Sequence, residues 1–222
     1  MARFSIDESI KFGFNITKKN FLFFLGVIGI YIAFSIADLF FTPMNDVRDV
    51  VVIIVSNIIL YIVGLWIGLG MLKVFLLFAS KKKAHFKDIF SSANKIWTYF
   101  LATLLIALLT FLVVFVVAII GLIGAGLIFA KYAIIGWSIV ALAVLALIIA
   151  MVYINMRTLF VGFIILEHNI DAYQAIKKSF SITKNHVIHL FLFHLVLCLV
   201  FLAGILALVV GVLVAWPTVS LA

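Results

Sequence analysis

Long apolar runs separated by short polar segments make up most of this chain. The runs lie approximately at Phe21–Phe41, Val50–Leu72, Ile96–Ala130, Ile134–Met156 and Val187–Leu213. About 20 apolar residues in a helix cross a hydrocarbon core of roughly 30 Å, and a helix satisfies its own backbone hydrogen bonds in lipid. The pattern therefore predicts an all-α fold: a polytopic membrane helix bundle of about five spans, forming one integral membrane domain over residues 1–222.

Two of the runs are irregular. Lys73 interrupts the second before its apolar residues continue to Ser80. The third is too long for one untilted crossing, and the last part of its helix is doubtful because it contains Gly121, Gly124 and Gly126, a residue type that weakens helix interiors.

Two short motifs bear on the ends and contacts of the spans. The last run ends at Trp216 and Pro217, so we expect its helix to stop there. Gly64 and Gly68, with Gly70 beyond, have the small-xxx-small spacing that lets helices approach closely, which predicts packing within the bundle.

The composition excludes a water-soluble domain. Of the 222 residues, 68% are hydrophobic and 11% charged, whereas soluble domains have roughly 45–50% apolar and about 25% charged residues. A cleavable signal peptide is not expected, because the first 19 residues carry scattered charges and no apolar core. The single cysteine, Cys198, excludes an intramolecular disulfide framework.

The cations predict an orientation. Fourteen of the sixteen Lys and Arg residues lie before the first span, between the second and third, or between the fourth and fifth. Because cationic short loops stay in the cytoplasm, we expect a multi-pass protein of the cell inner membrane with a cytoplasmic amino terminus. Five crossings put the carboxyl terminus outside, whereas an even number would put both ends on one side. The net charge of +8 favours anionic lipid head groups as partners, not nucleic acid.

One polar segment occurs twice. Residues 10–19 read IKFGFNITKK and residues 176–185 read IKKSFSITKN, so six of ten positions agree at an offset of 166. The first copy follows Ser5 and Glu8, which have capping-box spacing, and the second follows Asp171 and Gln174 at the same offset. Both copies therefore predict the start of a helix.

These two helices are predicted to be amphipathic. The apolar stripe is Ile6, Ile10, Phe14 and Thr17 in the first copy and Ala172, Ile176, Phe180 and Thr183 in the second. Such helices suit the membrane interface, with the apolar side in the acyl boundary and lysines among head groups. The predicted head-group contacts are Lys11, Lys18, Lys177, Lys178 and Lys184, and the predicted interfacial anchors are Phe14 and Phe180.

A third amphipathic segment is predicted at residues 85–97, where the apolar residues also recur at helical spacing. Each of the three segments precedes a predicted span on the cytoplasmic side. The chain therefore looks like an internal parallel repeat of one interfacial helix and two spans, with units at 5–80, 84–167 and a partial third at 171–222.

The region 157–191 resembles a broad bacterial and archaeal group of integral membrane proteins related to the membrane domain of some glycerophosphodiester phosphodiesterases. In that group a basic residue closes a span, an acidic residue follows, and an amphipathic segment ends in a Thr-Lys step. The matching residues here are Arg157, Glu167, Ala175, Ile176, Lys177, Ser179, Thr183, Lys184 and Asn185. The resemblance implies a helical membrane protein of commonly six spans, whose fused relatives carry their chemistry in a separate soluble domain.

Candidate chemical groups are few. His186, His189, His194 and Cys198 are metal-ligand types at helical spacing, but their two pairs point apart and packed histidines are favoured over a metal or haem site. We therefore expect no catalytic residues, no metal and no cofactor.

Polar residues near the spans have ordinary explanations. Asp38 is expected at a wet outer interface, and Asn57 in a hydrogen bond to a neighbouring helix. Lys73 and Arg157 are expected near the inner boundary with their head groups reaching water. Glu167 pairs with one of them or is exposed to solvent.

The leading functional hypothesis is a non-enzymatic integral membrane protein, a scaffold or accessory subunit that acts at the cytoplasmic lipid interface with lipids and protein subunits as partners. The alternative is a transporter of a lipid-like or amphipathic small molecule. That alternative predicts a cavity between repeat units that is lined by Asn57, Asp38 or Asn155.

Overall fold

The structure, a computed structural model, describes residues 6–40, 47–129, 132–206 and 208–221. All regular elements in these ranges are helical, which confirms the all-α prediction. They are α1 (Ile6–Lys19), α2 (Phe21–Phe40), α3 (Val47–Ala79), α4 (Phe86–Phe90), α5 (Ile96–Phe129), α6 (Ala133–Thr158), α7 (Val161–Glu167), α8 (Ala172–Thr183), α9 (Val187–Leu206) and α10 (Leu208–Leu221).

Within the described ranges, four helical stretches are long and apolar enough to cross a membrane. They are Val50–Ala79, Phe86–Ile128, Ala133–Glu167 and Val187–Ile205. Large apolar side chains such as Leu122 and Ile134 point outward, with 72% and 86% of their surface exposed, as expected for helices that face lipid. The first predicted span coincides with α2, of which Phe21–Ile30 is described as a shorter apolar helix, so the count of five stays a prediction.

The chain folds as two compact units. Unit 1 comprises residues 1–96 and 192–222, and unit 2 comprises residues 97–191. These bounds differ from those of the predicted repeat units, and the internal repeat stays a prediction.

The core of unit 1 lies where α2, α3 and α4 meet. Its fully buried side chains include Phe24, Val74 and Ile89. Gly70 of α3 makes the closest approach, since a Cβ there would overlap the backbone carbonyl of Ile89. The predicted close packing is thus formed by Gly70, whereas a Cβ at Gly68 would meet nothing within 4 Å.

Helix α3 is continuous through Lys73. Lys73 Nζ donates a 2.8 Å hydrogen bond to Ser91 Oγ in the segment after α4. That contact lets the long side chain satisfy its charge while its stem packs along the helix.

The third amphipathic segment is not one helix, contrary to the prediction. Helix α4 has only five residues and is followed by a turn and a single 3₁₀ turn at Ala93–Lys95 before α5 begins. The Asp88 carboxylate accepts a 2.8 Å hydrogen bond from the His85 backbone N–H, which starts α4. Ser91 Oγ then bonds the Asp88 carbonyl at 2.7 Å, a local hydroxyl contact that competes with helix propagation.

The core of unit 2 joins α5, α7 and α8 through Ala102, Val161, Ile164, Ile165, Ala172 and Ala175. Helix α5 continues through all three glycines to Phe129, so the last part of the run is helical as well. Glycine is tolerated in this part of α5 because α5 and α6 approach each other closely at Gly124. A Cβ at Gly124 would lie 3.1 Å from the carbonyl oxygen of Gly136, and a Cβ at Gly136 would lie 2.6 Å from that of Gly124.

Candidate lipid-interface site

Helix α8 packs in unit 2 through a stripe of small residues. Ala172, Ala175, Ser179 and Thr183 are all buried, and they face α6 and α7. Small side chains let the two backbones come close, and at this distance polar side chains reach across. Ser179 Oγ donates a 2.7 Å hydrogen bond to the backbone carbonyl of Arg157 in the last turn of α6.

The side chain of Arg157 is enclosed at this contact. Only 8% of its surface is exposed, and Nη1 donates a 3.2 Å hydrogen bond to Thr183 Oγ1. The guanidinium carbon lies 4.7 Å from the centre of the Phe180 ring and 5.6 Å from that of Tyr153. The expectation that Arg157 reaches water is therefore wrong, because hydroxyl and aromatic groups of α6 and α8 hold it inside.

Helix α1 packs in unit 1 in a related way. Gly13 and Thr17 are buried, and they correspond to Ser179 and Thr183 at the offset of 166. The neighbour here is α10, whose Thr218 Oγ1 lies 3.4 Å from Thr17 Oγ1.

Helix α10 continues through Pro217, although we expected it to stop there. A proline in a helix interior costs about 3 kcal/mol. Ala215, Pro217 and Thr218 are all buried, and Thr218 Oγ1 also donates to the Val214 carbonyl at 2.7 Å. Burial of this face in unit 1 offsets the cost of the proline.

The buried stripes include Thr17, Ala172 and Thr183 as the sequence predicts, but they differ from the prediction at the positions between. The buried position in α8 is Ser179, whereas Ile176 and Phe180 are half-buried at its flanks. In α1 the buried position is Gly13, whereas the predicted anchor Phe14 is 47% exposed. The sequence prediction placed large apolar side chains at the centre of each buried face, whereas close helix packing favours small residues there.

Of the two predicted capping boxes, the structure describes the one at the start of α8. Asp171 is the N-cap of α8 with extended backbone, as predicted, but its side chain makes no capping hydrogen bond, so the expected box with Gln174 is not formed. Ser5 lies outside the described residues.

The lysines of both helices point outward. Lys11, Lys18, Lys177 and Lys184 are exposed, and Lys178 is half-buried. Their contact with head groups stays a prediction, as does the anchoring role of Phe14 and Phe180.

Lys11 differs from the other lysines because it has a carboxylate partner. Its Nζ lies 2.6 Å from Asp7 Oδ2, one helical turn earlier. The hydrogen bond and charge of Asp7 raise the pKa of Lys11. The corresponding position before Lys177 is Tyr173, so α8 lacks this partner.

A cavity of about 360 Å³ lies in unit 1 between α1, α9 and α10. Helix α1 contributes Ile10, Lys11, Phe14 and Asn15, and the opposite wall includes Val200 and Ala215. The lining is mainly apolar, with Lys11 and Asn15 as its polar residues on α1, so its chemistry suits an amphipathic molecule.

The other candidate residues form no site in the part of the chain that the structure describes. The rings of His186 and His189 are 6.3 Å apart between centroids, Cys198 is exposed, and no group of three metal-ligating residues is found among the described residues. Glu167 is exposed and has no ion pair with any described residue.

The polar residues proposed to line a transport path do not line the described cavity. Asn57 and Asn155 are exposed, and Asn155 Nδ2 donates to the Met151 carbonyl at 3.0 Å. The side chain of Asp38 lies outside the described part.

Sequence reasoning missed the two groups that contact the repeated threonines, Arg157 and Thr218. Neither contact has a signal in the sequence. An arginine that closes an apolar span ordinarily reaches water, and Thr218 lies after an apolar run with no polar pattern around it.

No protein-family model matches this chain, and comparisons with curated proteins and with solved structures found no match.

Proposed function

We propose that this is a non-enzymatic integral membrane protein, a scaffold or accessory subunit that acts at the cytoplasmic lipid interface through α1 and α8. One observation carries the proposal: both helices dock by a stripe of small residues, so that their lysines face outward. The resemblance to membrane domains related to the glycerophosphodiester phosphodiesterase group belongs to this proposal and agrees with it.

Electrostatics supports lipid as the partner. Lysines near an anionic leaflet are each attracted by about 1 kcal/mol, and α8 with the residue after it carries Lys177, Lys178 and Lys184 within eight positions. No acidic residue lies on α8 itself, so this attraction is not reduced along the helix.

The test uses the full chain in nanodiscs that contain equal amounts of anionic and zwitterionic lipid. We expect the variant with Lys11, Lys18, Lys177, Lys178 and Lys184 changed to Gln to retain a lower anionic fraction after re-extraction, measured by lipid mass spectrometry. The control changes Lys81, Lys82 and Lys83, which lie outside both helices, and should lose less per lysine. An unchanged anionic fraction in the first variant at low salt would remove the proposal.

The cavity in unit 1 supports a second candidate, a transporter of a lipid-like or amphipathic molecule. Its apolar lining and the cationic Lys11 fit an anionic amphiphile. Proteoliposomes with a fluorescent lipid in one leaflet test it: protein-dependent transfer that Ala215→Trp blocks would favour transport, and transfer equal to that of empty liposomes excludes it for that lipid.

The position of α10 bears on orientation. Because α10 packs on α1, we propose that residues 208–221 lie at the cytoplasmic side with α1, which requires an even number of crossings. Cysteine labelling checks this in a Cys198→Ser background. Ser220→Cys should react with an impermeant maleimide from the same side as Lys82→Cys, and reaction from the opposite side would support five crossings.

A further inference from the structure

Arg157 is a buried cation without a matching anion in the described ranges. Only 8% of the surface of this residue is exposed, and its head group is a guanidinium cation. No described carboxylate forms an ion pair with Arg157, so its charge is not neutralised within the described ranges. A buried charge of this kind is costly unless it is paired and hydrogen-bonded.

The protein compensates this charge in part. Phe180 and Tyr153 present their rings to the guanidinium carbon, and Thr183 accepts a hydrogen bond from Nη1. Aromatic faces attract the cation but accept no in-plane hydrogen bond, and Thr183 Oγ1 is also shared with the Ser179 carbonyl, to which it donates at 2.8 Å.

These contacts leave one edge of the Arg157 guanidinium without a hydrogen bond. Nε is buried and has no hydrogen-bond partner in the described structure. Nε and Nη2 form the side-on edge of an arginine, a planar fork that matches two oxygens of a phosphate or carboxylate. With Nη1 bound to Thr183, this fork is the part of Arg157 that remains to bind an oxyanion.

The surroundings favour phosphate. Arg157 ends a helix long enough to span a membrane, and α8, which covers it, brings Lys177, Lys178 and Lys184 to the same region. Phosphate is the oxyanion that every phospholipid presents at such a boundary, and extra cations nearby raise its local concentration.

We infer that Arg157 is a binding site for a phosphate oxyanion, which the Nε–Nη2 fork would hold next to the rings of Tyr153 and Phe180. This inference rests on the proposed membrane-interface function, and it names a ligand where that proposal names only a surface. The source of the phosphate is either a lipid head group or a soluble phosphate ester.

The experiment follows the Arg157 Nε–H resonance by ¹⁵N–¹H NMR in the full chain, purified in maltoside detergent, which has no phosphate. The signal is assigned by its loss in Arg157→Lys. Inorganic phosphate and phosphatidylglycerol are titrated in separate arms, with sodium chloride at matched ionic strength as a third arm.

A saturable shift with phosphatidylglycerol alone assigns the site to a lipid head group, and a shift with both ligands assigns it to phosphate from either source. No shift with either ligand, or the same shift with chloride, overturns the inference. Arg157→Lys should bind about tenfold more weakly, equivalent to losing one charge-assisted hydrogen bond, measured by phosphatidylglycerol retention. Lys82→Gln, which lies outside α8 and leaves the fork intact, should stay within about twofold of wild type.

If Arg157→Lys does not fold, Phe180→Leu is the second variant: it keeps the fork, removes one ring and should move the Nε–H resonance while phosphate still shifts it. The outcome is separable from that of the proposed function. If the five-lysine variant keeps its anionic lipid while phosphate still shifts the Nε–H signal, the proposed surface role is wrong and the Arg157 site stands. If the variant loses anionic lipid but the Nε–H signal does not shift, only the Arg157 site is wrong.

Discussion

Helices α1 and α8 bury the same threonine of the same repeated segment, Thr17 and Thr183, against different neighbours. Thr17 meets the hydroxyl of Thr218 at 3.4 Å, whereas Thr183 accepts a hydrogen bond from the guanidinium of Arg157 at 3.2 Å. Each threonine also donates to the carbonyl four residues earlier, at 2.9 Å in α1 and 2.8 Å in α8. The repeated segment therefore sets how each helix docks, and the neighbouring helix sets the chemistry at the contact.

Replacing a small residue of the buried stripe by a large one should cause the largest loss of stability. Ser179 is fully buried, so Ser179→Leu overpacks the contact and removes the hydrogen bond to the Arg157 carbonyl. We expect the free energy of unfolding to fall by about 3 kcal/mol, measured by thermal unfolding in detergent. Ser181→Leu, on the exposed side of the same helix, is the matched control.

Gly13→Leu extends this test to α1, where Gly13 is the buried counterpart of Ser179. A comparable loss in both helices supports a shared docking mode. If Gly13→Leu behaves like Ser181→Leu, the similarity between the helices is limited to their sequence.

Removing the hydroxyl of each repeated threonine should cause different losses of stability in α1 and α8. Thr183→Val deletes a hydrogen bond to a charged group, worth about 2 kcal/mol, whereas Thr17→Val deletes bonds between neutral groups, worth about 1 kcal/mol. Unfolding of both variants in the same detergent measures the difference. Equal losses would show that the guanidinium does not distinguish the two sites.

The smallest effect is expected at Asp7. Asp7→Asn removes the carboxylate that raises the pKa of Lys11, so the net charge of α1 becomes more positive. We expect a modest gain in retention of anionic lipid, and the reverse for Tyr173→Asp, which gives Lys177 a partner at the same spacing. A gain for Tyr173→Asp would contradict the electrostatic argument.

The Lys11–Asp7 pair also predicts that helix stability depends on pH. A raised pKa means that the Lys11–Asp7 pair contributes stability at neutral pH and loses it as the pH rises through the pKa of Lys11. Wild type and Asp7→Asn should therefore differ in helix stability at pH 7 and converge in strongly alkaline buffer, as followed by circular dichroism. A difference that grows with pH would have the wrong sign.

The apolar pattern was enough to predict the long helices and the positions of α1 and α8, because long runs and helical periodicity are local properties. Helices α1 and α8 begin within a residue or two of the predicted starts, and Asp171 is the N-cap that the sequence indicates. The failures at Gly70 and Pro217 have a common cause, since both residues depend on neighbours that are distant in sequence. Ser91 and Asp88 bond locally and end α4, whereas burial carries α10 through Pro217.

The candidate site was harder to predict than the helices. Its lysines are visible in the sequence, because outward charge follows from helical spacing. The burial of Arg157 is not, because a span-closing arginine ordinarily reaches water. Only the packing of Ser179 and Thr183 brings α8 over the guanidinium and reverses that expectation.

Residue 157 is bonded to α8 twice, through its backbone carbonyl to Ser179 and through its side chain to Thr183. Both bonds hold α8 at the last turn of α6, so the orientation of α8 is tied to that of α6. Since a bilayer that thins or thickens changes the tilt of the helices that span it, a change in the tilt of α6 would also turn the helix that carries Lys177 and Lys178.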